Sequence, residues 1–209
     1  MAVHLRSLSF QPSLYPPLCQ QDFIDRYGDN TQYELIDGEL VDLEPTGRHE
    51  EVAGFMGRKL NVAIDQQNLP YIIPFRCLVK MLGTETAFRP DLIILDQTKL
   101  AQEPLWQREP IVCRGESICL IVEVVSSNWQ NDYARKVEDY ALLGVPEYWI
   151  VDYQGLGGRD YIGFPKQPTV TICQLENDRY SKTLFTGNDR FQSLTFPTLQ
   201  ITMNQIVNI

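Results

Sequence analysis

Two carboxylates in this chain, Asp91 and Glu123, lie beside or within runs of strand-forming apolar residues. Asp91 follows Arg89-Pro90 and opens the run 92–95, whereas Glu123 interrupts the run 118–125. An ionised carboxylate in a buried strand is costly unless a positive charge neutralises it. A divalent cation held by both groups would supply that charge, and hard cations such as Mg²⁺ prefer oxygen ligands. The pattern therefore predicts a metal-dependent active site on a sheet.

The elements that must position these carboxylates begin with a hairpin. The strand-forming segments 33–36 and 39–43 flank Asp37-Gly38, a preferred two-residue hairpin turn. Apolar residues at helical spacing then predict a helix from His49 to Gln66. A strand is expected to begin at Tyr71 and to continue through Lys80, before the strand of the first carboxylate.

The second half of the chain contains a strand–helix–strand unit. The Glu123 strand, a helix over 129–143 and a buried strand over 145–152 follow one another, so the two strands should pair in parallel. Gly144 suits the C-terminal cap of this helix. Three further runs predict a C-terminal β-meander: 168–175, 179–186 and 190–201.

These elements predict an α/β protein with a central mixed sheet flanked by helices, an N-terminal β-hairpin and a C-terminal β-meander. Residues 1–20 are rich in Ser and Pro and are expected to form an extended arm. Residues 21–209 are expected to form a single domain, because this length suffices for one good core and no linker divides it. Within that domain the core covers about 32–153 and the β-additions about 168–203.

The ordered set of elements resembles the PD-(D/E)XK nuclease superfamily, whose pattern is an Asp after a Pro and a downstream acidic residue-x-Lys. Pro90-Asp91 supplies the first half-motif and Glu123-Val124-Val125 the second. More narrowly, the chain resembles the Uma-type restriction endonuclease family over about residues 20–200. The resemblance implies a restriction endonuclease-like core. The matching positions are Tyr33 to Glu39, His49, Arg89 to Asp91, Ile121 to Ser127, Asp132, Lys136, Tyr140 and Gly144 to Asp152.

One departure from the superfamily pattern concerns its lysine. Val125 occupies that position, where an apolar side chain cannot polarise a water molecule, and the resemblance implies that Lys136 replaces the lysine from the following helix. It also implies hydrolysis of DNA with Mg²⁺ or Mn²⁺, in which Asp91 and Glu123 bind the metal and Lys136 is the third catalytic residue. A backbone carbonyl near Val124 is expected as a further ligand. Auxiliary roles are expected for Glu34 or Glu39, His49 and Asp132.

Each candidate also has a purely structural interpretation. Lys136 and Asp132 could form an exposed i,i+4 pair, worth roughly a few tenths of a kcal/mol, and Asp132 could stabilise the helix dipole. The other auxiliary candidates could point to solvent or begin a helix: Glu34, Glu39 and His49. Two aromatic residues are expected in the core: Tyr140 and Trp149.

Charge and composition narrow the function classes. The net charge of −9 and the pI near 4.7 oppose a protein that coats nucleic acid, since phosphate contacts need a positive surface. They do not exclude a nuclease, because a bound cation or a local basic groove can attract phosphates despite the negative net charge of the whole protein. A candidate basic rim consists of Arg76, Lys80, Arg89 and Arg114. Five scattered cysteines without C-x-x-C, and no run of 18 apolar residues, predict a reduced, cytoplasmic protein that does not enter a membrane.

The leading hypothesis is a divalent-metal-dependent endodeoxyribonuclease, and two alternatives stay open. Val125 and the acidic composition also suit a catalytically degenerate nuclease fold that acts as a nucleic-acid or protein binding or regulatory module. A structural homodimer that associates through its β-meander is the third hypothesis. Dimerisation alone does not separate them, because restriction-type enzymes often dimerise to cut both strands. DNA and RNA both remain open as substrates at this point.

Overall fold

The computed structural model describes residues 17–43 and 45–209. The predicted N-terminal arm lies outside these residues except for positions 17–20. There the Leu18 N–H donates a hydrogen bond to the Gly38 carbonyl at 2.8 Å, and helix α1 (Gln20–Tyr27) begins. The α/β fold class is confirmed, and the strands of the described residues are divided between two mixed sheets.

The predicted hairpin forms one edge of a five-stranded sheet. Both turn residues, Asp37 and Gly38, have positive φ angles of 51° and 81°, as a tight two-residue hairpin turn requires. The strands of this sheet are β1 (Tyr33–Ile36), β2 (Glu39–Asp42), β4 (Leu78–Lys80), β5 (Ala87–Phe88) and β7 (Ile111–Val112). They lie in the order β2-β1-β5-β4-β7, in which β4 and β7 pair in parallel and the other pairs are antiparallel.

A six-stranded sheet carries the predicted strand–helix–strand unit. Its strands are β3 (Tyr71–Ile72), β6 (Leu92–Asp96), β8 (Ile118–Val124), β9 (Glu147–Asp152), β10 (Thr169–Glu176) and β11 (Arg179–Thr186). They lie in the order β11-β10-β9-β8-β6-β3. The predicted parallel pairing of β8 with β9 is confirmed, with Val122 opposite Trp149. The other pairs in this sheet are antiparallel.

Alternate residues of β8 face opposite layers, which explains its near-continuous apolar sequence. Val122 and Val124 belong to an apolar cluster with helix α2 (Gly47–Gln67), whereas Ile121 and Val125 belong to a second cluster with helix α3 (Lys136–Leu143). Two shorter helices complete the described chain: α4 (Arg159–Ile162) and α5 (Met203–Val207). No helix in residues 17–43 and 45–209 has the length and apolar character needed to cross a membrane.

The prediction of one continuous strand from Tyr71 to Lys80 is wrong. β3 ends at Ile72 and β4 begins at Leu78, and the two strands belong to different sheets. Pro74 has no N–H for a strand ladder, so the chain can leave one sheet here at little cost. Residues 73–77 thus form a crossing between the sheets.

The prediction of a third meander strand over 190–201 is also wrong. Beyond the β10–β11 hairpin, only an isolated bridge between Arg190 and Thr202 is present in this segment, and α5 follows it. The buried apolar residues Phe191, Phe196 and Ile201 lie five positions apart rather than at alternate positions. A segment that buries its side chains at such intervals packs on the core as a loop and cannot satisfy a strand's period of two.

Candidate active site

The candidate active site lies where the two sheets meet. Asp91 follows β5 and immediately precedes β6, where the chain crosses from the five-stranded to the six-stranded sheet. β6 and β8 are antiparallel with Leu92 opposite Val122, so the next pair in this register places Asp91 beside Glu123. The Asp91 side chain is 22% exposed and accepts a hydrogen bond from the Val124 N–H at 2.6 Å. The two predicted metal ligands therefore converge in space.

Glu123 lies on the face of β8 that is covered by α3. The residue is only 3% exposed, and its Oε1 accepts a hydrogen bond from the Tyr140 hydroxyl at 2.9 Å. Val125, two residues further along, faces the same layer and is buried among apolar side chains. Val125 therefore contributes packing at the position where the superfamily pattern has its lysine.

Lys136 brings its ammonium group to Glu123 from the first turn of α3. The residue is 4% exposed, and its Nζ lies 3.1 Å from Glu123 Oε1, 3.3 Å from Asp132 Oδ1 and 3.7 Å from Glu34 Oε2. The interpretation of Lys136 and Asp132 as an exposed surface pair is therefore wrong. One buried cation faces three buried carboxylates, and we call Glu34, Glu123, Asp132 and Lys136 the Lys136 cluster.

A wide helical turn precedes α3 and carries part of this cluster. The predicted helix over 129–143 is present, but its segment Asn131–Arg135 is π-helical and the α-helix begins at Lys136. Such turns accommodate an extra residue and are frequent at functional sites. Here the side chains of Asp132 and Lys136 remain in contact across the turn and both line the same cleft.

Crowding of the carboxylates changes their acidity. Burial raises the pKa of Glu123 well above its usual range; the Lys136 ammonium opposes this rise and the neighbouring carboxylates add to it. Burial also raises the pKa of Asp132 to about 6. Burial disfavours the charged form of Lys136, but the surrounding carboxylates, above all Glu123, hold its pKa well above its usual range. Lys136 therefore stays protonated while the cluster has negative charge that a further cation would stabilise.

His49 lies on the opposite side of Asp91 from the Lys136 cluster. Its side chain is buried in the first turn of α2, with Nε2 at 3.0 Å from the Val124 carbonyl and 3.3 Å from Asp91 Oδ2. Burial disfavours the imidazolium, but the hydrogen bond and charge of Asp91, aided by the Val124 carbonyl, raise the pKa of His49 to about 9. His49 is thus not merely the start of a helix, because it holds Asp91 and the end of β8 together.

The two glutamates of the hairpin lie in different environments. Glu34 is buried in β1, where its Oε2 accepts a hydrogen bond from the Arg89 N–H at 3.3 Å and faces Lys136. Glu39 is exposed at the start of β2 and is absent from the residues that line the cleft. The structure therefore brings Glu34 to the site and leaves Glu39 outside it.

This difference predicts unequal effects of matched substitutions. If the chain has the nuclease activity that its sequence resemblance implies, Glu34→Gln is expected to lower the rate roughly 10- to 100-fold, the range typical of residues that orient active-site groups. Glu39→Gln should leave the rate within about twofold, because exposed substitutions away from a site perturb little. Rates on one nucleic-acid substrate, with thermal melting of both variants, would check this. Equal rates for the two variants would show that Glu34 has no role in the active site.

A cleft of about 300 Å³ opens above these residues to solvent. Its floor contains the Lys136 cluster together with Asp91 and His49, and its rim includes Thr31, Pro45, Phe75, Arg76, Ser126, Asn128 and Asn131. We call this the active-site cleft. Of the expected basic rim, Arg76 and Arg89 line the cleft, and the Arg89 guanidinium donates to the carbonyls of Tyr33, Tyr27 and Gly28. Lys80 and Arg114 are not among the cleft residues.

Tyr140 has a second function beyond the core packing predicted for it. Its ring is fully buried against Phe88 and Tyr148, and its hydroxyl binds Glu123. The available signal was spacing, because Tyr140 follows Lys136 by four residues and so lies on the same helix face. Trp149 is a core residue as predicted; its indole N–H donates to Glu147 at 2.7 Å.

The donor atoms of the cleft suit a hard divalent cation. Among residues 17–43 and 45–209, no three His, Cys, Asp or Glu side chains already converge as ligands of one ion. Mg²⁺ does not require such a cage, since it retains several waters and is commonly bound by one or two carboxylates. Asp91 and Glu123 make their hydrogen bonds through one oxygen each, Oδ2 and Oε1. The donor chemistry therefore fits Mg²⁺ or Mn²⁺.

Comparison with known proteins identifies a family and agrees with the fold. A family model described as "Uma2: Putative restriction endonuclease" matches residues 20–204. A crystal structure described as that of a "putative nuclease belonging to DUF820 from Anabaena variabilis ATCC 29413" is similar, with a TM-score of 0.68 and 14% sequence identity. The similarity covers 92% of this chain and 98% of that chain and concerns the fold. No curated protein matches.

Proposed function

We propose that this chain, which belongs to the Uma2 family of putative restriction endonucleases, is a divalent-metal-dependent endonuclease that hydrolyses DNA phosphodiester bonds in the active-site cleft. The Lys136 cluster is the observation that carries this proposal. Three buried carboxylates surround one ammonium, and Asp91 lies beside them in a cleft open to solvent. A buried excess of negative charge would be strongly destabilising for a structural purpose alone. It is well suited to hold a cation at a phosphate-binding site.

Asp91 and Glu123 are the residues that would hold Mg²⁺ or Mn²⁺, with the Val124 carbonyl, which lies 3.0 Å from His49 Nε2, as the proposed backbone ligand. When bound, the ion would lower the pKa of a coordinated water and offset the charge that develops on the phosphate. Asp91 is held for this role by the Val124 N–H and by His49. His49 is also placed to retain a proton beside Asp91.

Lys136 would stabilise the negative charge of the phosphate during hydrolysis. Its ammonium is fixed by Glu34, Glu123 and Asp132, so little reorganisation is needed when the charge develops. Tyr140 fixes Glu123 in turn. The alternative of a degenerate binding module rested on Val125 and on the acidic composition, and the position of Lys136 next to Glu123 answers the first of these grounds in favour of catalysis.

The compartment and the assembly are further parts of the proposal. The five free cysteines suit a reducing compartment such as the cytoplasm. A single cleft can cut one strand at a time, so cleavage of both strands would be served by a homodimer. Analytical ultracentrifugation with and without duplex DNA would test that assembly.

Cleavage assays with a ligand variant test the function directly. Purified protein would be incubated with supercoiled plasmid, linear duplex, single-stranded DNA and RNA, in Mg²⁺, Mn²⁺ or EDTA. DNA cleavage in Mg²⁺ or Mn²⁺ and none in EDTA is expected. Asp91→Asn, which removes the charge of a metal-binding carboxylate, should lower the rate roughly 10²- to 10³-fold, as the loss of several kcal/mol of charge stabilisation implies.

Three outcomes would contradict all or part of the proposal. Cleavage by Asp91→Asn at the wild-type rate would show that a contaminant or another site acts. Binding of nucleic acid without cleavage under any of the metal conditions would support the degenerate binding module instead. Cleavage of RNA alone would keep the metal-dependent mechanism and replace the proposed substrate.

A further inference from the structure

The crossing between the two sheets, residues 73–77, borders the active-site cleft. It is anchored at both ends: Ile72 pairs with Leu95 in β6, and the Leu78 N–H donates to the Pro110 carbonyl at 2.9 Å. Within the crossing, Cys77 is buried and the Arg76 guanidinium donates to the Asp29 carbonyl at 3.4 Å. The backbone position of the crossing is therefore restrained by the sheets on either side.

Phe75 projects from this anchored crossing into solvent at the rim of the cleft. Its relative exposure is 106%, the highest among the exposed large apolar residues of the described chain. Neither an aromatic ring nor a cationic group stacks on it within residues 17–43 and 45–209, in contrast to Phe164, which has the Arg159 guanidinium over its ring at 4.6 Å. A single exposed apolar residue is ordinary on a surface. Phe75 differs because most of the cleft residues around it are polar.

We propose that Phe75 is a nucleobase-stacking residue, on which a base of the substrate strand stacks next to the phosphate held in the active-site cleft. The inference rests on the proposed nuclease function and names a contact to the substrate. The floor of the cleft is suited to the phosphodiester, so the base attached to an adjacent nucleotide has to lie near the rim. An aromatic ring there receives any base, because every base has a flat π-face.

The charge of the protein favours this mode of binding. A chain with a net charge of −9 attracts phosphates weakly, and Arg76 is the exposed arginine at this rim. Stacking of a base on an aromatic ring does not depend on an ion pair, so the acidic surface does not weaken it. The anchored crossing also holds the ring in place before binding, which lowers the entropy lost when the base docks.

Binding of a short fluorescein-labelled single strand, measured by anisotropy, tests the proposal. Ca²⁺ would replace Mg²⁺ as an oxygen-ligated cation, and the strand would be checked for intactness on a gel. Phe75→Ala is expected to weaken binding about 5- to 150-fold, the effect of losing one stacked base. Phe75→Tyr, which retains the ring, should bind within about twofold of the wild type. Leu142→Ala, another exposed apolar residue outside the cleft, should be unchanged.

A strand series with one abasic position moved along the sequence locates the contact. Wild-type protein should lose affinity when the abasic site reaches one particular position, and Phe75→Ala should lose nothing further there. Equal binding of wild type and Phe75→Ala, or identical abasic profiles for both, would overturn the proposal. Since the ring is fully exposed, thermal melting midpoints of the variants should match and exclude a folding defect.

The outcomes separate this inference from the proposed function. Metal-dependent cleavage together with wild-type binding by Phe75→Ala would overturn the stacking role and leave the nuclease assignment intact. Stacking-dependent binding without cleavage would retain the role of Phe75 and overturn the nuclease assignment. Absence of any binding by the wild type would overturn the stacking role.

Discussion

Replacing Lys136 with methionine is expected to lower the hydrolysis rate by about 10²- to 10³-fold and the free energy of unfolding by about 3–5 kcal/mol. Methionine has a similar length but no charge, so Glu34, Glu123 and Asp132 lose their shared cation in a buried site. Removal of one partner from a buried ion pair leaves uncompensated charge, which is the costly case. The lost ammonium also no longer stabilises charge on the phosphate.

Urea unfolding and steady-state kinetics on the same preparation measure both effects. Lys182→Met is a matched control, because Lys182 is exposed on β11 and its loss should change neither quantity appreciably. Lys136→Arg should recover part of the stability, since it keeps a cation in the cluster, but its larger planar group fits the site poorly. Wild-type stability and rate in Lys136→Met would show that the cluster does not depend on this ammonium.

Glu123→Gln, unlike Lys136→Met, is expected to lower the hydrolysis rate without lowering the stability. The rate should fall roughly 10²- to 10³-fold, because several kcal/mol of charge stabilisation is lost with a metal-binding carboxylate. The free energy of unfolding should change by less than about 1 kcal/mol or rise, since Lys136 keeps Glu34 and Asp132 and the amide oxygen still accepts from Tyr140. Burial already disfavours the ionised form of this carboxylate, raising the pKa of Glu123.

Metal titration provides the readout that does not depend on activity. A ligand that binds only the folded state stabilises it by about 2.7 kcal/mol at 100 times its Kd. Mg²⁺ or Mn²⁺ should therefore raise the melting temperature of the wild type and not that of Glu123→Gln, and calorimetry should show the same loss of affinity. Glu39→Gln serves as the carboxylate control, because its side chain lies outside the cleft. Equal metal stabilisation of wild type and Glu123→Gln would exclude Glu123 as a ligand.

Asp91 and Glu123 could be selected from the sequence because their anomaly is local. A carboxylate next to a run such as 92–95, or within 118–125, stands out without knowledge of the fold. The hairpin at Asp37-Gly38 and the parallel β8–β9 pair were predictable for the same reason, since turn chemistry and the strand–helix–strand order are properties of short segments. Lys136 was identified through the family resemblance. The burial of its side chain was not predicted.

The sequence by itself determined the hairpin, the strand–helix–strand unit and the two carboxylates that lie beside or within apolar runs, because these depend on neighbours along the chain. Only the tertiary structure decided that Glu34 enters the site while Glu39 does not, that Tyr140 binds Glu123, and that residues 73–77 leave one sheet for the other. These outcomes depend on how two sheets and α3 pack, which joins residues as distant as Glu34 and Lys136. A hydrophobic pattern states which faces are apolar, whereas packing decides which side chains those faces meet.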